Sequence, residues 1–169
     1  EILSGLVGSE MCIRDRVTVS SQIEANVADH SGFNSVAEEV EVRFRNLEQE
    51  ALRCTRCALH ATRNKVVFGS GNAKAEWMFV GEAPGREEDR QGEAFVGRAG
   101  QLLNAILFAF GLDRDRAYIA NVLKCRPPGN RDPHGEEVVS CESLLHRQVE
   151  LVKPLVIIAL GRFAAQSLL

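Results

Sequence analysis

The chain has 169 residues, of which 45% are hydrophobic and 25% are charged, and its formal net charge at pH 7 is −3. This length can bury the core of one domain, and the net charge gives no overall attraction to nucleic acid. No apolar run approaches the roughly 20 residues of a membrane-spanning helix, and residues 1–7 lack the features of a secretory signal. We therefore expect a cytoplasmic protein that does not enter a membrane.

The first 16 residues differ in character from the rest of the chain. They have no sustained hydrophobic periodicity and look like translated sequencing adaptor, so we expect residues 1–16 to be a non-native leader. Cys12 is then a free thiol without a role. We expect residues 17–33 to be an irregular or disordered lead-in and residues 34–169 to form a single domain.

The domain is predicted to alternate helices and strands. Apolar residues recur every three or four positions between 34 and 52, which predicts an amphipathic helix. Short apolar runs predict three strands, at 77–80, 118–122 and 155–160. Further helices are predicted at 99–110, at 132–152 and after Gly161. The second of these has an N-cap signal in Asp132 followed by Pro133.

This order predicts the α/β class, as a three-layer sandwich with a central, mostly parallel sheet. Sheets of this kind bind ligands beyond the carboxyl ends of their strands. The loop 81–85 and Asn121 both fall at such ends. Because only three strands are predicted before residue 169, we expect the domain to be incomplete at its C-terminus.

Four cysteines of the domain predict a metal centre. Cys54 and Cys57 form a C-x-x-C pair, and Cys141 follows Cys125 by sixteen positions. Disulfides are rare in cytosolic proteins, so metal is the leading interpretation, and four thiolates suit either zinc or an iron–sulfur cluster. The alternative is that these are four ordinary buried cysteines.

The loop 81–85, Gly-Glu-Ala-Pro-Gly, predicts a ligand-binding turn. Gly81 and Gly85 allow the backbone to approach a ligand closely, and Pro84 stiffens the turn between them. The spacing fits neither a Walker nor a Rossmann motif. Phe95 lies in a second glycine-rich segment, where it could stack on a planar ligand or anchor the core.

Together these motifs resemble those of the family 4 uracil-DNA glycosylases. The resemblance runs from about residue 53 to residue 169 and includes the loop 81–85, the acidic run 87–89, the segment 95–100 and the segment 121–128. It implies a DNA-repair enzyme that flips uracil out of DNA and hydrolyses its N-glycosidic bond, acting as a monomer. It also implies a structural [4Fe–4S] cluster on Cys54, Cys57, Cys125 and Cys141.

The resemblance assigns a role to individual residues of the expected pocket. Phe95 matches the aromatic residue that stacks on the flipped base, and Asn121 matches the amide that pairs with uracil. Glu88 occupies the position that excludes the C5 methyl group of thymine. Gly81 and Ala83 match residues that line the pocket. Both belong to the loop after the first predicted strand.

Two further residues match the family with less defined roles. Glu82 is the candidate for positioning the attacking water. Ala83 stands where the better-known family 1 enzymes carry an aspartate, so activation of that water is weaker or comes from another group. Asn130 matches a second loop asparagine of the family.

One family motif is absent from this chain. A His-Pro sequence beyond the third strand is expected in the family, and none of the four histidines of this chain stands there. We therefore expect these 169 residues alone to have little or no activity.

Three other functions remain open. The family 5 glycosylases share the cluster but carry an apolar residue at the position of Glu82, which favours family 4. A non-catalytic iron–sulfur DNA-binding module and a zinc-stabilised nucleotide-binding protein are the remaining alternatives.

Overall fold

The computed structural model describes residues 31–169, with side chains described from residue 38 onward. The predicted leader at 1–16 and residues 17–30 of the predicted lead-in at 17–33 lie outside the described residues. The predicted first helix begins at Ser31, three residues earlier than expected, so residues 31–33 belong to it.

Within residues 31–169 the chain forms five α-helices and a four-stranded sheet. The helices are α1 (Ser31–Leu52), α2 (Arg86–Gln91), α3 (Arg98–Ala109), α4 (Gly135–Val152) and α5 (Arg162–Leu168). The strands are β1 (Ser70–Gly71), β2 (Trp77–Gly81), β3 (Ala117–Asn121) and β4 (Val156–Ala159). None of the described helices combines the length and apolar character needed to cross a membrane.

The sheet has the order β1-β3-β2-β4 and is mostly parallel, which confirms the predicted class. Strand β2 pairs in parallel with both β3 and β4, whereas the two-residue β1 is antiparallel to β3. The register aligns Gly81 of β2 with Asn121 of β3. The carboxyl ends of the two central strands therefore lie side by side.

Helices cover both faces of the sheet, because successive side chains of a strand point to opposite faces. Met78 and Val80 belong to the apolar core that includes Leu47 of α1 and Leu144 of α4. Phe79 belongs to a second core, which includes Leu107 of α3. The molecule thus has the predicted three layers.

The start of α4 differs from the prediction. Asp132 and Pro133 precede the helix, which begins at Gly135 with His134 as its N-cap. The carboxylate of Glu137 accepts a hydrogen bond from the His134 backbone N–H at 2.9 Å and holds the Arg131 guanidinium at 2.6 Å. The contact of Glu137 with the His134 N–H, supported by the Arg131 ion pair, accompanies a helix start later than the Asp-Pro signal predicts.

Candidate active site and cysteine centre

A cavity of about 210 Å³ lies at the carboxyl ends of β2 and β3. It is lined by Ala83, Gly85, Glu88, Phe95, Gly97, Arg98, Ala99 and Asn121. Four residues predicted for the pocket therefore meet there, from the loop after β2, from α2, from the glycine-rich segment and from β3. A larger cavity of about 570 Å³, between α4, β4 and α5, contains none of the predicted site residues.

Asn121 is a buried polar residue of this cavity with an unpaired atom. It ends β3 and is 2% exposed, and its Oδ1 atom has no hydrogen-bond partner among the described residues. An unsatisfied buried acceptor costs about 1–3 kcal/mol, so such atoms are rare outside functional sites. The position and isolation of Oδ1 suit the N–H group of a bound ligand.

Phe95 lies next to Asn121 because Gly81 has no side chain. A Cβ atom built on Gly81 would lie 2.5 Å from Phe95 Cζ and 2.5 Å from Asn121 Oδ1. Phe95 itself has a left-handed backbone with φ of 54°. Gly100 packs against the Phe95 carbonyl so closely that a Cβ atom there would lie 1.7 Å from its oxygen. Both glycines are therefore required by the close approach of their neighbours.

Glu88 lines the cavity and also binds the backbone of the glycine-rich segment. It lies on α2 and is 8% exposed. Its Oε1 accepts hydrogen bonds from the backbone N–H groups of Val96 at 3.0 Å and Gly97 at 2.8 Å. The buried carboxylate therefore fixes the chain immediately after Phe95.

The structure does not bring Gly81, Glu82 or Asn130 into the lining of this cavity, although Gly81 lies directly against Phe95 and Asn121. Burial raises the pKa of Glu82, the nearby charge of Asp132 raises it further, and Arg162 opposes both effects. Asn130 is exposed, and its Oδ1 accepts a hydrogen bond from Arg126 Nε at 2.6 Å. The roles expected for these three residues remain predictions.

The four predicted cysteine ligands line one enclosed cavity, to which Lys124 also contributes. All four are free thiols; Cys125 and Cys141 are buried, and Cys54 and Cys57 are half-buried. Because the loop after α1, the loop after β3 and α4 supply them, residues distant in sequence meet at this point.

Nitrogen donors contact three of the four cysteine sulfurs. Cys54 Sγ accepts from Arg56 Nε at 3.3 Å, Cys125 Sγ from Arg63 Nη1 at 3.1 Å, and Cys141 Sγ from the Lys124 backbone N–H at 3.3 Å. Such hydrogen bonds stabilise negative charge on thiolate sulfur. These N–H donors favour a group of thiolates, because neutral buried thiols do not need donors to stabilise them.

Burial and the arginines act in opposite directions on these thiols. Burial raises the pKa of Cys125 to about 11, and the hydrogen bond from Arg63 opposes this rise. Burial also acts to raise the pKa of Cys54, but the Arg56 guanidinium outweighs it and the net pKa is lowered.

No three His, Cys, Asp or Glu side chains of the described part are placed to hold a single metal ion. The fit of the cysteines to a metal centre therefore rests on three observations, which are the shared cavity, the all-sulfur donor set and the N–H···S bonds. Four cysteine thiolates are the usual ligands of a [4Fe–4S] cluster.

Sequence reasoning missed two residues that support this site. Lys124 is buried, and its Nζ donates to the Asn121 carbonyl and to Gln148 Oε1, both at 2.6 Å. Its burial lowers the pKa of Lys124 to about 8. A lysine within the otherwise apolar run 122–125 was a signal for this arrangement. Arg114, which binds the Phe95 backbone, had no such signal.

Residues 68–169 match the sequence model of a protein family, the uracil DNA glycosylase superfamily. With this match, and with the α/β fold and the pocket at the strand ends, the chain belongs to the uracil DNA glycosylase superfamily.

Similar curated proteins are named type-4 uracil-DNA glycosylases. The relative from Archaeoglobus fulgidus is 56% identical over 72% of this chain and 61% of its own length. The relative from Sulfurisphaera tokodaii is 46% identical over 71% of this chain and 55% of its own length. The relative from Thermotoga maritima is 48% identical over 70% of this chain and 62% of its own length. These matches support the family 4 resemblance. The chain spans less than two thirds of the length of each of these relatives.

Proposed function

We propose that the whole protein removes uracil from DNA by hydrolysing its N-glycosidic bond. The observation that carries this proposal is the unpaired Asn121 Oδ1, which is buried beside the Phe95 ring in a small cavity. A carboxamide that is held in this way can recognise a planar ligand that presents a donor and an acceptor on one edge. Uracil presents this pattern at N3–H and O4.

Recognition would use one contact for each feature of the base. Asn121 Oδ1 accepts from uracil N3–H, and its Nδ2 group donates to O4. The Phe95 ring stacks on the flipped base, which offsets part of the cost of leaving the DNA stack. Glu88 excludes the C5 methyl group of thymine through the bulk of its buried carboxylate. Gly81 and Ala83 leave room for the base at the end of β2.

The chemical step breaks the bond between the sugar C1′ and uracil N1. The bonding electrons go to uracil, so negative charge grows on the base while the sugar becomes oxocarbenium-like. Hydrogen-bond donors that face the uracil oxygens stabilise this charge. Water then adds to C1′ and loses a proton, which leaves an abasic site, and the departing uracil anion takes up a proton from solvent. Glu82 is our candidate for positioning this water and accepting the proton.

We further propose that Cys54, Cys57, Cys125 and Cys141 hold a [4Fe–4S] cluster. The cluster would supply structural cross-linking and no redox chemistry. Its cysteines would connect the end of α1, the loop after β3 and α4. Lys124 supports this role, because its backbone N–H contacts Cys141 while its side chain binds the Asn121 carbonyl.

The substrate of this proposal is uracil-containing DNA. Arg98 is exposed and lines the cavity, where its charge is available to a DNA phosphate despite the net charge of −3. The proposal also includes a cytoplasmic monomer, for which gel filtration of the whole protein with and without DNA tests the oligomeric state.

Excision of uracil tests the proposed function directly. The whole protein is incubated with a labelled oligonucleotide that contains one uracil, treated with alkali and analysed for strand cleavage. We expect cleavage at uracil and none at thymine. Asn121→Ala removes both contacts to the base edge. We expect kcat/KM to fall by at least about a hundredfold, because the polar edge of uracil is then left without its hydrogen-bond partners.

The matched control is Asn72→Ala. Asn72 is an exposed asparagine whose Oδ1 accepts only the Lys74 backbone N–H at 2.8 Å, so its removal leaves activity unchanged. If the folded, cluster-loaded protein binds DNA without cleaving it at uracil, the non-catalytic DNA-binding module becomes the better explanation.

A further inference from the structure

Arg114 contacts the backbone that carries Phe95 from outside the cavity. It lies on a short 3-10 helix, Arg114–Arg116, immediately before β3. Its Nη1 atom donates to the Ala94 carbonyl at 3.1 Å, and its Nη2 atom donates to the Phe95 carbonyl. The side chain is 24% exposed. One guanidinium group therefore binds two successive carbonyl oxygens.

The remaining donors of Arg114 fix the orientation of its guanidinium. Nε donates to Asn104 Oδ1 at 3.0 Å, and Nη1 also contacts Ser70 Oγ and Glu93 Oε1, both at 3.2 Å. The group is thus held by α3, by β1 and by an acidic side chain. A planar guanidinium with several fixed donors positions its partners more rigidly than an ammonium group can.

Arg114 and Glu88 hold opposite sides of the same segment. Arg114 binds the carbonyl groups of Ala94 and Phe95, and Glu88 binds the N–H groups of the next two residues, Val96 and Gly97. Phe95, between them, has the left-handed φ of 54°. This conformation costs a non-glycine residue about 1–2 kcal/mol, so it persists only where surrounding contacts fix it.

We propose that Arg114 is a positioning residue for base recognition, because it holds Phe95 in the conformation that turns its ring toward Asn121. The inference rests on the proposed function, in which the Phe95 ring stacks on uracil. Arg114 touches neither the base nor the sugar. Its effect passes through the backbone of Phe95.

The kinetic test compares Arg114→Met with Arg116→Met in the whole protein. Arg116 lies on the same 3-10 helix, is exposed and donates through Nη1 to the Gly111 carbonyl at 3.0 Å. We expect Arg114→Met to lower kcat/KM for uracil excision on the order of ten- to a hundredfold, as misplaced recognition groups do. Arg116→Met leaves it unchanged. Arg114→Lys, which cannot bind two carbonyl groups in the same plane, is intermediate.

A double-mutant cycle with Phe95→Ala separates positioning from general structural support. If Arg114 acts through the Phe95 ring, its substitution has little left to disturb once that ring is gone. Adding Arg114→Met to the Phe95→Ala protein then changes kcat/KM by less than about twofold, which is within the usual scatter of such comparisons. Independent losses that multiply would overturn the proposal, as would an Arg114→Met protein with unaltered kinetics.

Hydrogen exchange gives a readout that does not depend on catalysis. The amides of Val96 and Gly97 are expected to exchange faster in Arg114→Met and Arg114→Lys than in Arg116→Met, because the segment loses one of its two anchors. If the parent protein excises no uracil, the proposed function fails, and exchange alone decides whether Arg114 holds the segment. Unchanged exchange in both Arg114 variants overturns the inference.

Discussion

Gly81 and Asn121 are paired in the parallel ladder of β2 and β3, and a Cβ atom on Gly81 would lie 2.5 Å from Asn121 Oδ1. The same atom would lie 2.5 Å from Phe95 Cζ. The backbone of Gly81 does not have a positive φ. Glycine is therefore required here by the two side chains next to it and not by the conformation of the strand.

Gly81→Ala is expected to impair the site more than the fold. The added methyl group displaces the Asn121 amide or the Phe95 ring, and we expect kcat/KM to fall on the order of a hundredfold. Overpacking costs about 1–3 kcal/mol of unfolding free energy, which denaturant unfolding measures. Gly135→Ala is the control, because a Cβ atom there meets nothing within 4 Å. Equal activity of Gly81→Ala and Gly135→Ala would show that the close packing of Asn121 and Phe95 against Gly81 has no functional importance.

Loss of one cysteine ligand is expected to release the proposed cluster. Cys125→Ala removes a sulfur that Arg63 contacts in the enclosed cavity, and the purified protein then loses iron, inorganic sulfide and visible absorbance. Its unfolding temperature falls as well, because a bound cluster stabilises the folded state. Cys12→Ala is the matched control and retains the iron content of the parent. A colourless parent protein that contains zinc would contradict the cluster assignment.

The sequence predicted the elements that hold the candidate pocket residues Asn121 and Ala83. Strands β2 and β3 were recognisable as short apolar runs, and the carboxyl ends of parallel strands adjoin, so the meeting of the loop after Gly81 with Asn121 followed. Strand β1 was not predicted, since two residues carry no periodicity. Helix α2 is also short, and its acidic first turn did not distinguish it from a loop.

Side-chain positions depended on contacts that no local pattern encodes. Phe95 could be a core anchor or a stacking group from the sequence, and its place in the cavity depends on Gly81 and on Arg114, which lies 19 residues further along the chain. Asn130 matches a second loop asparagine of the family, yet it binds Arg126 at the surface. Motif order alone could not distinguish these two asparagines.

The ion pair of Glu137 and Arg131 predicts a specific sensitivity to acid. The hydrogen bond from Arg131 lowers the pKa of Glu137, an effect that burial opposes. The folded state therefore binds this proton less readily than the unfolded state does, where the pKa is about 4.3. The stabilisation is present above that value and is lost as the pH falls through the lower pKa of the folded state.

Urea unfolding at a series of pH values tests this expectation. Between about pH 6 and pH 3, the free energy of unfolding should fall more steeply for the parent than for Glu137→Gln, which has no carboxylate to protonate. Glu136→Gln is the control, since Glu136 is the exposed neighbour on the same turn. Parallel curves for the parent and Glu137→Gln would exclude this ion pair as a source of the acid sensitivity.

The charges near Glu82 predict how substitutions of Asp132 and Arg162 shift the acid limb of the pH–activity profile. Burial and the charge of Asp132 raise the pKa of Glu82, and Arg162 lowers it. Arg162 also contacts Asp132, with Nη2 at 3.7 Å from Oδ2. Asp132→Asn removes the repulsion and leaves Arg162 to act on Glu82, so the pKa falls. Arg162→Met removes the attraction and leaves Asp132 unpaired, so the pKa rises.

A group that accepts a proton from water must be deprotonated, so activity is lost as the pH falls through its pKa. If Glu82 is that group, the acid limb of kcat/KM moves to lower pH in Asp132→Asn and to higher pH in Arg162→Met. Glu87→Gln serves as the control, since the Glu87 side chain on α2 is 45% exposed and pairs with Arg90. Opposite shifts from the two variants are difficult to obtain from a loss of DNA affinity, because removing the arginine weakens phosphate binding at every pH. If the acid limb of kcat/KM lies at the same pH in all variants, a group other than Glu82 accepts the proton.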